Sequence, residues 1–335
     1  MKTCVPGQGR VEIAETEKPS PGEGDVLIEM KACGICGTDV EKVLGHYPSR
    51  SFGHEAVGII VEVGERVTAF DEGDRVFPHH HVPCYSCHYC KSGSETMCPH
   101  FSSSNLIPGG LSEYFLMPAW NIEHGGLFRL PNRLDFKRGT LIEPLACAIR
   151  GIRRLGLTQD STVAVVGAGP VGMLHIFALH SNGFRVDAVE PDQARGAFAV
   201  KLGAESSYVP NEATESIKSK TEGRGADAVV VATGSVAAMK TGIALLRKGG
   251  TLLQFGLPMP GTLLDYDLNT LFRNEIKIVN TYSAVEREVA EAIEMLSSAE
   301  GVVDDIISHS FSLERAAEAF DLAMKQKGRK IIVER

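Results

Sequence analysis

Three glycines, Gly167-Ala-Gly169-Pro170-Val171-Gly172, follow the apolar run at 163–166 without a gap and open a helical pattern that continues to Leu179. A strand that turns this abruptly into a helix fits a parallel strand–helix–strand unit and little else. Gly167 makes the tight turn, Gly169 lets the backbone approach a pyrophosphate, and Gly172 lets helix and strand pack closely. The helix N-terminus adds free N–H groups and positive potential. The next apolar run ends in Glu190, at the distance where a carboxylate reaches the adenosine ribose. It would accept from a 2′-hydroxyl and repel a 2′-phosphate, so NAD is expected over NADP.

At 335 residues, 43% hydrophobic, the chain suggests two domains at roughly 150 residues each. Runs at 25–31, 55–63 and 74–77 are short, β-rich and separated by glycine turns. Near Gly139 the pattern changes: Leu141, Leu145, Ala148, Ile149 and Ile152 recur at helical spacing. Beyond it, apolar strands at 162–166, 186–189, 226–231, 251–255 and 276–279 alternate with helical stretches, which predicts a doubly wound parallel sheet. Two helical patterns and a closing strand at 330–334 end the chain.

The glycines at 167–172 interrupt the one apolar window long enough to suggest a membrane span, so no membrane association is expected. Residues 1–10 hold no apolar run before a cleavage site, and a cytoplasmic protein is expected. The net charge of −8, with Lys and Arg scattered singly, gives no footprint for nucleic acid.

Four of the eight cysteines fall in one loop as Cys84-x2-Cys87-x2-Cys90-x7-Cys98. Four thiolates from one short loop suit the closed tetrahedral coordination of structural zinc. An iron–sulfur cluster is the alternative; Pro99 after the last cysteine favours it, and the long final spacing does not. Cys4, Cys33 and Cys147 read as small buried apolar residues. His79, His80 and His81 read as a solvated loop rather than a third metal site.

Gly34-Ile-Cys36-Gly-Thr38-Asp39 and Gly53-His54-Glu55 each set a metal-ligand residue beside glycine at a strand end. With the cysteine loop and the glycine turn, in this order, they resemble the zinc-dependent medium-chain dehydrogenase/reductase family over nearly the whole chain. The segment Leu141-Ile-Glu143-Pro144-Leu145 looks like its polyol (sorbitol), threonine and sugar dehydrogenase branch. The resemblance implies a GroES-like, β-rich catalytic domain (1–145), a Rossmann NAD-binding domain (146–282) and a C-terminal part (283–335) that returns to the first.

It implies a catalytic zinc held by Cys36, His54 and Glu143, with Glu55 as an additional or alternating ligand and Cys147 as a weaker substitute for Glu143. It also implies that Asp39 orients the ligands and that Thr38 takes the substrate proton. Many relatives carry a histidine five residues after the ligand cysteine; this chain has Glu41 there, then His46, and the relay could use either or water. Phe255, Gly256 and Thr281 would hold the nicotinamide amide, with Thr233 and Gly234 lining the same side. Pro170, Val171 and Arg195 complete the expected cofactor set.

The expected activity is interconversion of a small secondary alcohol and its ketone with NAD and two zinc ions per chain. Threonine-type amino alcohols and aldoses are alternative substrates, and a homodimer or homotetramer is expected. A rival reading is an NAD-binding zinc-ribbon interaction or sensor protein without turnover; another is a zinc-free reductase of the same fold.

Overall fold

The computed structural model describes residues 1–7, 9–46, 52–299 and 301–335. They fall into two compact units: Met1–Ala146 with Ala284–Arg335, and Cys147–Ser283.

The second unit is built on six parallel strands in the order Ser206–Tyr208, Arg185–Val189, Thr162–Val166, Ala226–Val231, Leu246–Gln254, Lys277–Asn280. The chain starts at the centre, winds outward one way, then returns and winds the other. Strand order therefore reverses beside Thr162–Val166, and the glycine turn leaves its carboxyl end, where such sheets bind ligands. Val163, Ala164, Val165, Val229, Val230 and Val231 are all fully buried. Helices on both faces leave a central strand no polar side, hence the unbroken apolar runs. The short edge strand Ser206–Tyr208 was not expected, because Ser-Ser-Tyr carries no apolar run.

The first unit centres on a seven-stranded mixed sheet. Its two longest strands, Val26–Gly34 and Glu55–Val63, pair antiparallel along their length and set Gly34 opposite Glu55 and Cys33 opposite Ala56. On its other edge Val26–Gly34 pairs with Tyr114–Met117 near its start and with Lys330–Glu334 near its end. The closing strand thus lies beside the residues that precede Cys36. Phe115, Phe320, Met30, Ile28 and Met117 fill the core, each large side chain contributing roughly 1.5–3 kcal/mol on burial.

Candidate active site

The pairing of Val26–Gly34 with Glu55–Val63 brings two distant sequence segments together. Cys36 leaves the first strand as the N-cap of helix Gly37–Val43, and His54 and Glu55 enter the second. Their ligand atoms all lie within 4.8 Å of one another. A β-carbon at Gly34 would lie 1.9 Å from the Glu55 carboxylate, so only glycine lets that side chain lie there.

Asp39 is fully buried behind the trio. Its carboxylate accepts from the Cys36 N–H at 3.4 Å and the Gly53 N–H at 3.3 Å, and lies 3.7 Å from His54 Nδ1. Burial works against its charge, yet His54, Lys42 and the Gly53 N–H outweigh that and hold its pKa well below the usual carboxylate range. Asp39 thereby fixes the backbone on both sides of the site and the orientation of the imidazole.

Glu55 is paired with Lys330, both side chains out of solvent, and Lys330 Nζ also donates to the Ile35 carbonyl at 3.1 Å. Burial disfavours the ammonium, but Glu55 and Cys36 raise its pKa above the ordinary lysine value. A thiol, an imidazole and a carboxylate within one sphere, braced by a buried acid and a buried cation, fit a metal with mixed donors and room for a further ligand.

The cysteine loop differs in kind. Its four sulfurs also lie within 4.8 Å of one another, with Cys87 and Cys90 at 3.5 Å and Cys84 and Cys98 at 3.5 Å. All four are free thiols. Zinc–sulfur bonds of about 2.3 Å give a tetrahedron with edges of about 3.8 Å, so the loop is preformed for a closed site. The Ser86 hydroxyl bonded to Cys84 lowers that thiol's pKa to about 5, whereas burial and neighbouring sulfurs push Cys90 up. Such a crowd of thiols ionises fully only around a cation.

In the second unit, a β-carbon at Gly172 would lie 1.9 Å from the Gly167 carbonyl, which is why the third glycine is needed. Gly169 caps helix Pro170–Ser181 without a side-chain bond, leaving its N–H groups available. Glu190 is buried; its carboxylate accepts from the Ala168 N–H at 2.6 Å and the Asp192 N–H at 3.0 Å. It therefore ties the glycine turn to the next strand end. Arg195 lies in the first turn of helix Gln193–Lys201, its N–H capped by Asp192. Gln254 donates to the Thr233 and Gly256 carbonyls, joining the segment of Thr233 and Gly234 to that of Phe255 and Gly256. Thr281 follows the edge strand, and its buried hydroxyl has no partner among the described residues.

Residues 22–126 match the alcohol dehydrogenase GroES-like domain family, and residues 170–298 match the zinc-binding dehydrogenase family. A sorbitol dehydrogenase of Halalkalibacterium halodurans is 30% identical over 98% of this chain and 96% of its own. The chain belongs to the zinc-dependent medium-chain dehydrogenase family. A probable D-xylulose reductase A of Emericella nidulans is 30% identical over 92% of this chain and 89% of its own. The solved 2R,3R-butanediol dehydrogenase of Bacillus subtilis superposes with a TM-score of 0.86 at 26% identity, over 100% of this chain and 99% of that one. The chain is thus an alcohol dehydrogenase with a nicotinamide cofactor and zinc. Among the described residues no helix is long and apolar enough to cross a membrane.

The structure also places the other dehydrogenase residues that the sequence singles out. Glu143, at the start of helix Ile142–Arg153, is buried but stands outside the 4.8 Å trio; its charge acts on Glu55 and Lys330. Thr38 lies in the helix that Cys36 caps. Glu41 accepts from His46 at 2.5 Å, with His46 exposed, and residues 47–51 lie outside the described set.

The three histidines are not a solvated loop. His79 and His80 are buried, their carbonyls accept from buried Asn121, and the His80 ring lies 4.9 Å from that of His54. Three consecutive polar residues carry no apolar period, so side-chain and backbone partners far away in sequence had to bury them. Lys330 had one sequence signal: it is the cation of the segment 325–330 that opens the apolar strand Lys-Ile-Ile-Val.

Proposed function

We propose that this dehydrogenase oxidises a secondary carbinol of a polyol with NAD, in the cytoplasm and as a homo-oligomer. The observation that carries the reading is the convergence of Cys36, His54 and Glu55 within 4.8 Å, backed by Asp39 and Lys330. A docking or sensor module with only the cysteine loop would have no use for such a trio, and neither would a zinc-free reductase.

Cys36, His54 and Glu55, with Glu143 as a further carboxylate, would hold the catalytic zinc, which when bound acts as a Lewis acid toward the substrate hydroxyl. Asp39 keeps the imidazole in register. The Thr38 hydroxyl would accept the substrate proton while passing its own on, and the Glu41–His46 pair would offer that proton an exit to solvent. The glycine turn and the N-terminus of helix Pro170–Ser181 receive the pyrophosphate, and Pro170, Val171 and Arg195 border it. Glu190, oriented by two backbone N–H groups, accepts from the adenosine ribose and excludes a 2′-phosphate. Thr233, Gly234, Phe255, Gly256 and Thr281 bind the nicotinamide end and fix which face of the ring is offered. Cys84, Cys87, Cys90 and Cys98 hold a second, structural zinc.

The names of the sorbitol and xylulose relatives support the choice of polyols over amino alcohols and aldoses. The gathering of four cysteines into one loop of metal-ligand type supports a reducing compartment. For assembly, Lys277–Asn280 has one edge with no strand partner among the described residues, and Leu263, Leu268 and Phe272 nearby in the chain are more than three-quarters exposed (85%, 76% and 83%). An open edge beside exposed apolar side chains suits pairing with a second copy.

The test is a panel of polyols, diols, amino alcohols and aldoses with NAD and with NADP, followed by reduced-cofactor absorbance and paired with metal analysis. Turnover of polyols with NAD and two zinc ions per chain is expected. A single zinc confined to the cysteine loop, or preference for an amino alcohol or aldose, would overturn the corresponding part.

A further inference from the structure

Tyr85, inside the cysteine loop, has a φ of 52°, a left-handed conformation that disfavours an aromatic residue with a β-carbon. Such strain persists where surrounding contacts over-determine it. Here the contact is Glu286, the first residue of helix Glu286–Ser298: one carboxylate oxygen accepts the Tyr85 hydroxyl, and the other accepts from His79 Nδ1 at 2.9 Å. That bond assigns the proton to Nδ1 and leaves Nε2, buried, without a partner among the described residues. The His79 ring stands edge-on to His80 at 5.7 Å, and His80 lies 4.9 Å from His54.

A second limb runs from the same loop. Phe101 packs with the four cysteines and Val285, its ring 5.4 Å from His81, which lies 4.1 Å from His80. His81 Nδ1 donates to the Ser104 carbonyl at 2.8 Å. Polar and apolar limbs therefore both start at the closed cysteine site and end on His80, against the imidazole of the open site.

We propose that Glu286 is a positioning residue: through Tyr85 on one side and His79 on the other, it transmits the geometry of the cysteine loop to His80, whose ring bears on the face of the His54 ring that Asp39 leaves unheld. The proposal rests on His54 belonging to the reactive site, as in the function above. A loop that only stabilised the fold would gain nothing from a strained tyrosine aimed at the carboxylate that holds His79.

The test uses the full-length, two-metal enzyme and three variants, Glu286→Gln, Tyr85→Phe and Tyr85→Gly. Expected for each are two metal ions per chain, unchanged NAD affinity by titration calorimetry, and kcat/KM for the best alcohol reduced by roughly tenfold or more. With cobalt(II) in the open site, its visible absorption should shift in each variant. Tyr85→Gly separates the roles: relief of the φ strain should hold or raise its melting temperature while kcat/KM falls. Wild-type kcat/KM and an unshifted cobalt spectrum in the Tyr85 variants, whatever their melting temperatures, overturn the proposal. If Glu286→Gln fails to fold, the two tyrosine variants decide alone. A wild-type protein that turns over no alcohol and takes no cobalt outside the cysteine loop overturns the functional reading first, and this inference with it; that failure is seen before any variant is made.

Discussion

The closed cysteine loop and the open trio gather metal donors in opposite ways. The loop draws all four sulfurs from residues 84–98, and its short helix and 3-10 turn bring them together locally. The trio takes Cys36 from the end of one strand and His54 and Glu55 from the start of its neighbour, then leans on Asp39 and on Lys330 from the far end of the chain. Four like, soft donors make a site that is complete in itself. Mixed donors make one that depends on the surrounding protein for charge and orientation, which is what a site with a vacancy for substrate requires.

The largest effect that would sharpen this contrast is expected from Cys98→Ser. Structural zinc in small peptides is worth on the order of 10 kcal/mol, so loss of one thiolate that forfeits about half of it should lower the melting temperature by roughly 10–20 °C. An unchanged scan would deny the loop its closed metal. Next comes Lys330→Met, which leaves the Glu55 carboxylate buried without its cation. Breaking a buried pair from one side costs about 3–5 kcal/mol, measured by chemical denaturation; a loss below about 1 kcal/mol would mean that Glu55 needs no such support.

Cys36→Ser should work the other way round, cutting turnover at least about a hundredfold while the melting temperature and NAD binding stay near wild type. Should it unfold the protein, Cys36 belongs with the structural cysteines and the contrast collapses. The smallest effect is expected from Glu190→Ala, with the preference for NAD over NADP narrowing by about tenfold in kcat/KM. An intact preference would leave cofactor choice to other residues.

The same contrast governs what the sequence could disclose. The cysteine spacing and the glycine turn are local patterns, and each carries its own physical reason, so both could be read directly. The parallel sheet was legible because its buried strands leave unbroken apolar runs, while Ser206–Tyr208, polar and at an edge, left no trace. Cys36 and His54 were legible only in the company of the other motifs. The burial of His79 and His80 was not, because Asn121 and Glu286, which accommodate them, lie 41 or more positions away. Lys330 was missed for the same reason: nothing near position 330 refers to Glu55.

The first unit is interrupted by the second and is completed only by Ala284–Arg335. Synthesis proceeds from the N-terminus, so Glu55 leaves the ribosome long before the lysine that neutralises it. The strand Val26–Gly34 likewise waits for Lys330–Glu334 to cover the end of its open edge. A nascent chain stopped before position 330 would hold its cysteine loop in full and its glycine turn in full, yet carry a reactive centre whose acid is still uncompensated. In this protein the strand Lys330–Glu334, made long after Glu55, decides when the catalyst is finished.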